Sequence, residues 1–163
     1  MQLRAFLAAM ALLMAMPPLA LAHERSNGEA PPETVLSASA RGPAAIVDAF
    51  HSALHRGDIR SAAALLAEDA LIFEEGGAER SKAEYAAHHL PADAAFSKVV
   101  ASTILRRSGG AAGNVAWIAT EARLTGIPKG KAVDRLTTET MLLRRTKNGW
   151  KITHVHWSSR AAK

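Results

Sequence analysis

The apolar residues of this chain change their period half-way along it, and few architectures accommodate that change. From Pro43 onward, Ile46, Ala49, Phe50, Ala53 and Leu54 recur every three or four residues. That is the stripe of an amphipathic helix, which Pro43 can open and Gly57 can close. Asp58 caps a second, shorter helix carrying Ile59, Ala62, Ala63, Leu65 and Leu66. Residues 70–74 form a short strand ahead of Glu75-Gly76-Gly77. Ser81, with Glu84 three residues on, opens a third helix bearing Tyr85, His88 and His89, which Pro91 stops. Four later segments, 96–107, 114–124, 133–145 and 150–159, read as long strands. Their separators are Ser108-Gly109-Gly110, Gly126-Ile127-Pro128-Lys129-Gly130 and Lys147-Asn148-Gly149, the last a strong hairpin signal. Helices first and a strand meander afterwards predict an α+β domain, with the N-terminal helices packed on one face of a curved antiparallel sheet.

Ahead of this region, Arg4 is the one charge in residues 1–22, and residues 5–16 form an apolar run. Pro17 and Pro18 break it, and Ala20-Leu21-Ala22 supplies the small-x-small pattern of a cleaved signal peptide. The expected product begins after Ala22 and resides in the periplasm. A membrane span takes about 20 apolar residues, and the two prolines leave a shorter run, so no stable membrane anchor is expected. Residues 23–42, rich in Ser, Ala, Glu, Pro and Gly, read as a flexible leader, 43–160 as the domain and 161–163 as a tail. At 163 residues without a cysteine, the chain is one domain rather than a two-domain cofactor enzyme, and disulfides, thiolate metal sites and cysteine nucleophiles are excluded.

Residues 53–70, passing through Gly57-Asp58 to Glu68-Asp69-Ala70, resemble the helix–helix–strand opening of the nuclear transport factor 2-like superfamily. Residues 139–145 and then Gly149-Trp150-Lys151-Ile152-Thr153-His154-Val155-His156-Trp157-Ser158-Ser159 resemble its closing hairpin. That ending is nearest to the SnoaL-like subfamilies and to the association domain of calcium/calmodulin-dependent protein kinase II. The resemblance implies a cone-shaped sheet wrapped around a long helix, as in the cystatin-like roll, with an apolar pocket open at one end. It also implies a homodimer paired through the sheet. The superfamily spans isomerases, cyclases, dehydratases, binding proteins and assembly modules, so fold alone leaves the activity open.

In the ketosteroid isomerase branch, an Asp at the end of the first strand abstracts the proton, and that position falls on Glu74. A carboxylate at a pocket mouth can act as general base when burial raises its pKa; otherwise Glu74 is a solvated strand-end charge. The isomerases' oxyanion Tyr on the first helix is Phe50 here, which cannot donate a hydrogen bond. Losing one such donor costs about two to four kcal/mol, which argues against steroid isomerisation. In the kinase association domain, the positions matching Trp157 and Met141 carry Arg and point into the pocket, so the resemblance implies an apolar pocket here. By strand alternation, Glu139 and Ser159 join them, and Trp117 and Tyr85 are placed beside them. The first reading is an exported protein binding a small apolar or aromatic molecule. Trp157, Met141, Trp117 and Phe50 give apolar contact, and Tyr85, Glu139, Glu74, Ser159 and the nearer of His88 and His89 give orientation. The alternatives are a lyase, isomerase or hydrolase with Glu74 as base, and a pure homodimerisation module.

His154 and His156, two apart on a strand, share a face and can ligate a metal. A hydrogen-bonded pair on the sheet is the simpler reading, so the expected site contains no metal. No nucleophile–His–acid order, phosphate-cradling glycine loop or dinucleotide fingerprint occurs, and no cofactor is expected. The formal charge is +5, but the basic residues gather at turns with few aromatics between them. They do not form a nucleic-acid surface.

Overall fold

The structure, a computed structural model, describes residues 33–163. The expected signal peptide and the first part of the expected leader lie outside them. In order come β1 (Glu33–Leu36), a 3-10 turn (Ala38–Ala40), α1 (Arg41–Arg56), α2 (Ile59–Leu65), β2 (Leu66–Glu74) and β3 (Gly77–Glu79). Then follow α3 (Lys82–Ala87), α4 (Leu90–Ser97), β4 (Val100–Ala112), β5 (Val115–Gly126), a 3-10 turn (Pro128–Gly130), β6 (Val133–Thr146) and β7 (Gly149–Ala161). The strands form one sheet in the order β1-β4-β5-β6-β7-β2-β3. Its antiparallel meander, β4 to β7, is flanked by parallel pairings of β1 with β4 and of β2 with β7. The expected α+β architecture, a curved sheet around N-terminal helices, is what the chain adopts.

Local signals set the helices. Gly57 takes φ +68° at the end of α1, where its N–H meets the Ala53 and Leu54 carbonyls. Asp58 accepts from the Ser61 N–H at 3.0 Å, and Ser81 from the Glu84 N–H at 3.1 Å. Such caps are each worth about 1 kcal/mol. The Glu84 carboxylate reaches back to the Arg80 N–H at 2.7 Å, one residue earlier than a standard capping box. The buried stripe of α1 is Pro43, Ala44, Val47, Phe50, Ala53 and Leu54; Ala49, expected within it, faces solvent. That stripe meets Ala70 and Ile72 of β2, Ile118 of β5, Met141 and Leu143 of β6, and Ile152 and Val155 of β7, in one core cluster.

Four expectations are corrected. Residues 33–36, within the expected leader, are a strand that pairs with β4 through Glu33↔Arg106 to Leu36↔Gly109. Pro91 does not end a helix; it occupies the first turn of α4, where its missing N–H costs nothing. Ser108-Gly109-Gly110 is not a turn but the interior of β4, and the chain reverses later, at Gly113 with φ +58°. Gly109 is there because a Cβ would stand 2.6 Å from Ile118 Cδ1 and 2.9 Å from both Leu36 Cδ2 and the Trp117 carbonyl oxygen. The alternation of β7 is also broken. Leu142 pairs with His154 but Leu143 with Ile152, so Thr153 is a bulge and Ile152 and Val155 both point into the core.

Candidate functional site

The register lines up a row of polar side chains across four adjacent strands: Arg107↔Thr120, Thr120↔Glu139 and Glu139↔Trp157. Trp157 in turn pairs with Glu74 on β2. Side chains along one such row share a face, here the one that packs α1. The helix adds Asp48 and His51, three residues apart and therefore side by side.

Glu139 is the centre. It is 6% exposed, and its Oε2 accepts from both His51 Nε2 and Trp157 Nε1, each at 2.7 Å. Its Oε1 is buried with no hydrogen-bond partner among the described residues. Burial alone would push the carboxyl pKa up, but His51 and the Trp157 N–H outweigh it and hold Glu139 below its ordinary value. Burial would likewise lower His51, but the Glu139 charge and hydrogen bond reverse that and raise it. Both shifts favour the charged forms, an imidazolium against a carboxylate. Phe50 stacks on Trp157 with centroids 6.4 Å apart and planes at 21°. Beside them, Arg107 donates to Asp48 Oδ1 at 2.5 Å and to Thr120 Oγ1 at 3.2 Å.

On the other side of Trp157 lies a second group. Tyr85, fully buried, donates to Asp93 Oδ2 at 2.6 Å. His89 pairs with Glu79. Glu74 is raised above its ordinary value by partial burial and by the charges of Asp93 and Glu75. Asp93 is raised by burial, against the Tyr85 hydrogen bond. A carboxyl group shifted upward in this way can accept and return a proton nearer neutral pH.

The expected residues divide. Glu139, Trp157 and Glu74 share the row. Phe50, Met141 and Tyr85 have 0% exposure, so no water-sized hollow borders them; they fill the core instead of lining a pocket. Two cavities, of about 260 Å³ and about 280 Å³, lie elsewhere. The first lies farther along the sheet between Leu105, Ala122, Thr137 and Ser159; the second is by the β2–β3 turn at Glu74 and His156. Ser159 thus borders a cavity, but its hydroxyl accepts from Arg135 at 2.9 Å. Trp117 is 44% exposed and belongs to the opposite face. Its register row is Gly110, Trp117, Leu142, His154 and Leu71. His88 is exposed, and it is His89 that joins the acidic group.

Sequence reasoning missed His51, Asp48, Arg107 and Asp93. His51 adjoins Phe50 on the shoulder of the α1 stripe, the one available signal. Arg107 was hidden by the misplaced turn after it. Among the described residues, no group of three or more His, Asp or Glu is placed to hold a metal ion. The face opposite to Glu139 carries His154 and His156, whose ring centroids are 6.4 Å apart. His154 Nδ1 lies 3.1 Å from the Leu71 carbonyl, and Phe73 packs edge-on against both rings.

Residues 44–162 match the SnoaL-like domain. The chain belongs to the SnoaL-like family. A candidate ketosteroid isomerase from Shewanella frigidimarina NCIMB 400 is 36% identical over 76% of this SnoaL-like chain and 100% of its own, with a TM-score of 0.71. A candidate calcium/calmodulin-dependent protein kinase II association domain from Xanthomonas campestris is 20% identical, over 80% of this chain and 95% of its own, with a TM-score of 0.67. A candidate dehydratase of the nuclear transport factor 2-like family from Streptomyces avermitilis is 20% identical, over 74% and 95%, with a TM-score of 0.65. The latter two share the fold. No curated protein matches the chain.

Proposed function

We propose that this chain is an exported SnoaL-like protein that binds a small molecule at the rim where β6 and β7 meet α1. The observation that carries this reading is Glu139: a buried carboxylate with one oxygen saturated by His51 and Trp157 and the other without a partner. Leaving such an acceptor unpaired costs about 1–3 kcal/mol, and a ligand donor entering between His51 and Trp157 relieves it. The ligand's apolar part lies against Trp157, half-buried on Phe50. Export is supported by Arg4, the apolar run 5–16 and Ala20-Leu21-Ala22. Native mass spectrometry of protein taken from the periplasm tests both parts. The expected result is a mature chain beginning at His23 that carries a retained small molecule, lost in Glu139→Gln. A chain that is empty, and whose Trp157 indole resonance no compound shifts, refutes the binding reading.

Glu74, raised at the same rim beside Asp93 and Tyr85, favours a second reading: a lyase, isomerase or hydrolase with Glu74 as general base. Glu74→Gln tests that reading, since removal of the base abolishes turnover, and turnover that survives the substitution refutes it. A homodimer through the sheet is supported by Leu71, Phe73, Trp117 and Leu142, all at least 37% exposed on the face away from α1. Similarity to association domains supports it further.

A further inference from the structure

The rim has the opposite charge to the chain. The protein carries a formal +5, yet Glu139 and Glu74 flank Trp157 in the register, Asp93 and Glu79 lie within charge range of Glu74, and Asp48 within charge range of His51. The basic side chains paired with them are His51 on Glu139, His89 on Glu79 and Arg107 on Asp48. Arg107, the one permanent cation in that set, is already engaged by Asp48 and Thr120. An anionic ligand would therefore meet carboxylates and no free guanidinium, and would have to break an existing pair to find a partner. Trp157 sits between Glu139 and Glu74 in a single register row. An indole flanked by carboxylates is the chemistry that recognises an ammonium group, through the ring quadrupole and through charge. The unpartnered Oε1 of Glu139 is an acceptor only, so the group it takes must donate a hydrogen bond.

Resting on the binding reading above, we infer that the ligand is an organic amine, its ammonium held between Glu74 and Glu139 and its apolar part against Trp157. A carboxylate or phosphate ligand is repelled by the same arrangement. The overall positive charge does not draw such amines from a distance, so the selectivity is local and weakens as salt screens the exposed Glu74.

The test uses three probes of similar size, 2-phenylethylamine, 2-phenylethanol and phenylacetate, titrated into the full mature protein. The readouts are calorimetry and the indole N–H resonance of Trp157. The amine is expected to bind at least tenfold more tightly than phenylacetate. Glu74→Gln is expected to weaken the amine about tenfold while changing the alcohol less than twofold. That variant alters a rim residue rather than the core, and Glu139→Gln is read beside it only where its circular dichroism matches the parent. Phenylacetate binding as tightly as the amine, with the Trp157 resonance shifting, overturns the amine assignment and leaves the binding site standing. Equal weakening of amine and alcohol in Glu74→Gln also overturns it. No shift of Trp157 with any probe overturns the amine assignment and the site together.

Discussion

Replacing His51 by Ala removes the counter-charge of Glu139 and leaves its Oε2 with the Trp157 N–H alone. Breaking a fully buried ion pair on one side costs about 3–5 kcal/mol, whereas an exposed pair is worth about 0–1 kcal/mol. Glu139 is 6% exposed but the His51 side chain 37%, so water takes part of the vacated place. The expected loss at pH 5.5 is intermediate, about 2 kcal/mol, or a fall of roughly 1 M in the urea midpoint. The pH dependence follows from the two shifts. His51 is raised above its ordinary 6.5 by Glu139 and Asp48, against burial and Arg107. Its contribution is complete below pH 6.5 and is lost as pH rises through the folded-state pKa. Glu139 is lowered from 4.5, so its contribution is complete above pH 4.5 and is lost as pH falls through the depressed folded-state value. The ion pair is therefore worth most between pH 4.5 and 6.5. Once pH has risen through the folded-state pKa of His51, what remains is a neutral hydrogen bond of about 1 kcal/mol. Urea unfolding of parent and His51→Ala, followed by circular dichroism at pH 5.5 and 9, measures the difference. A difference equal at the two pH values, or larger at pH 9, refutes an ionic His51–Glu139 pair.

Gly109→Ala drives a methyl group into Ile118, Leu36 and the Trp117 carbonyl. It is expected to cost about 1–3 kcal/mol in thermal unfolding, and an unchanged melting temperature would return Gly109 to a turn. Tyr85→Phe removes the hydrogen bond that stabilises ionised Asp93. The Asp93 pKa, followed by carboxyl carbon NMR, is expected to climb further above its ordinary value; a constant or lower pKa contradicts the contact. Leu142→Lys puts a charge in the row between Trp117 and His154. Light scattering is expected to show the parent as a dimer and the variant as a monomer, and a dimeric variant sinks pairing through this face.

Residues near in sequence made much of the fold legible. The caps at Asp58 and Ser81, the glycine ending α1 and the Asn148-Gly149 turn each act within a few residues. The helix stripe and strand alternation depend only on the period of the apolar side chains. Those signals were enough for α1 to α3, β2, β4 to β7 and the α+β class, whereas β1, β3 and α4 were not read. Glu139 was legible as a face-mate of Trp157 through alternation from Met141 combined with the superfamily resemblance, and Glu74 through that resemblance.

Pairing and packing decided the rest. The extra residue at Thr153 shifts every partner beyond it, and no local preference of Thr announces that. Gly109 and Gly110 have the composition of a turn and lie in a strand because Ile118, Leu36 and Trp117 occupy the space a side chain would need. His51 becomes half of an ion pair because α1 crosses the sheet above Glu139, a contact between residues far apart along the chain. Backbone propensity and hydrophobic period are short-range properties carried by the sequence itself. Register, the bulge and the charge environment of Glu139 exist once long-range burial has brought the strands and helix together, and it is there that the site is made.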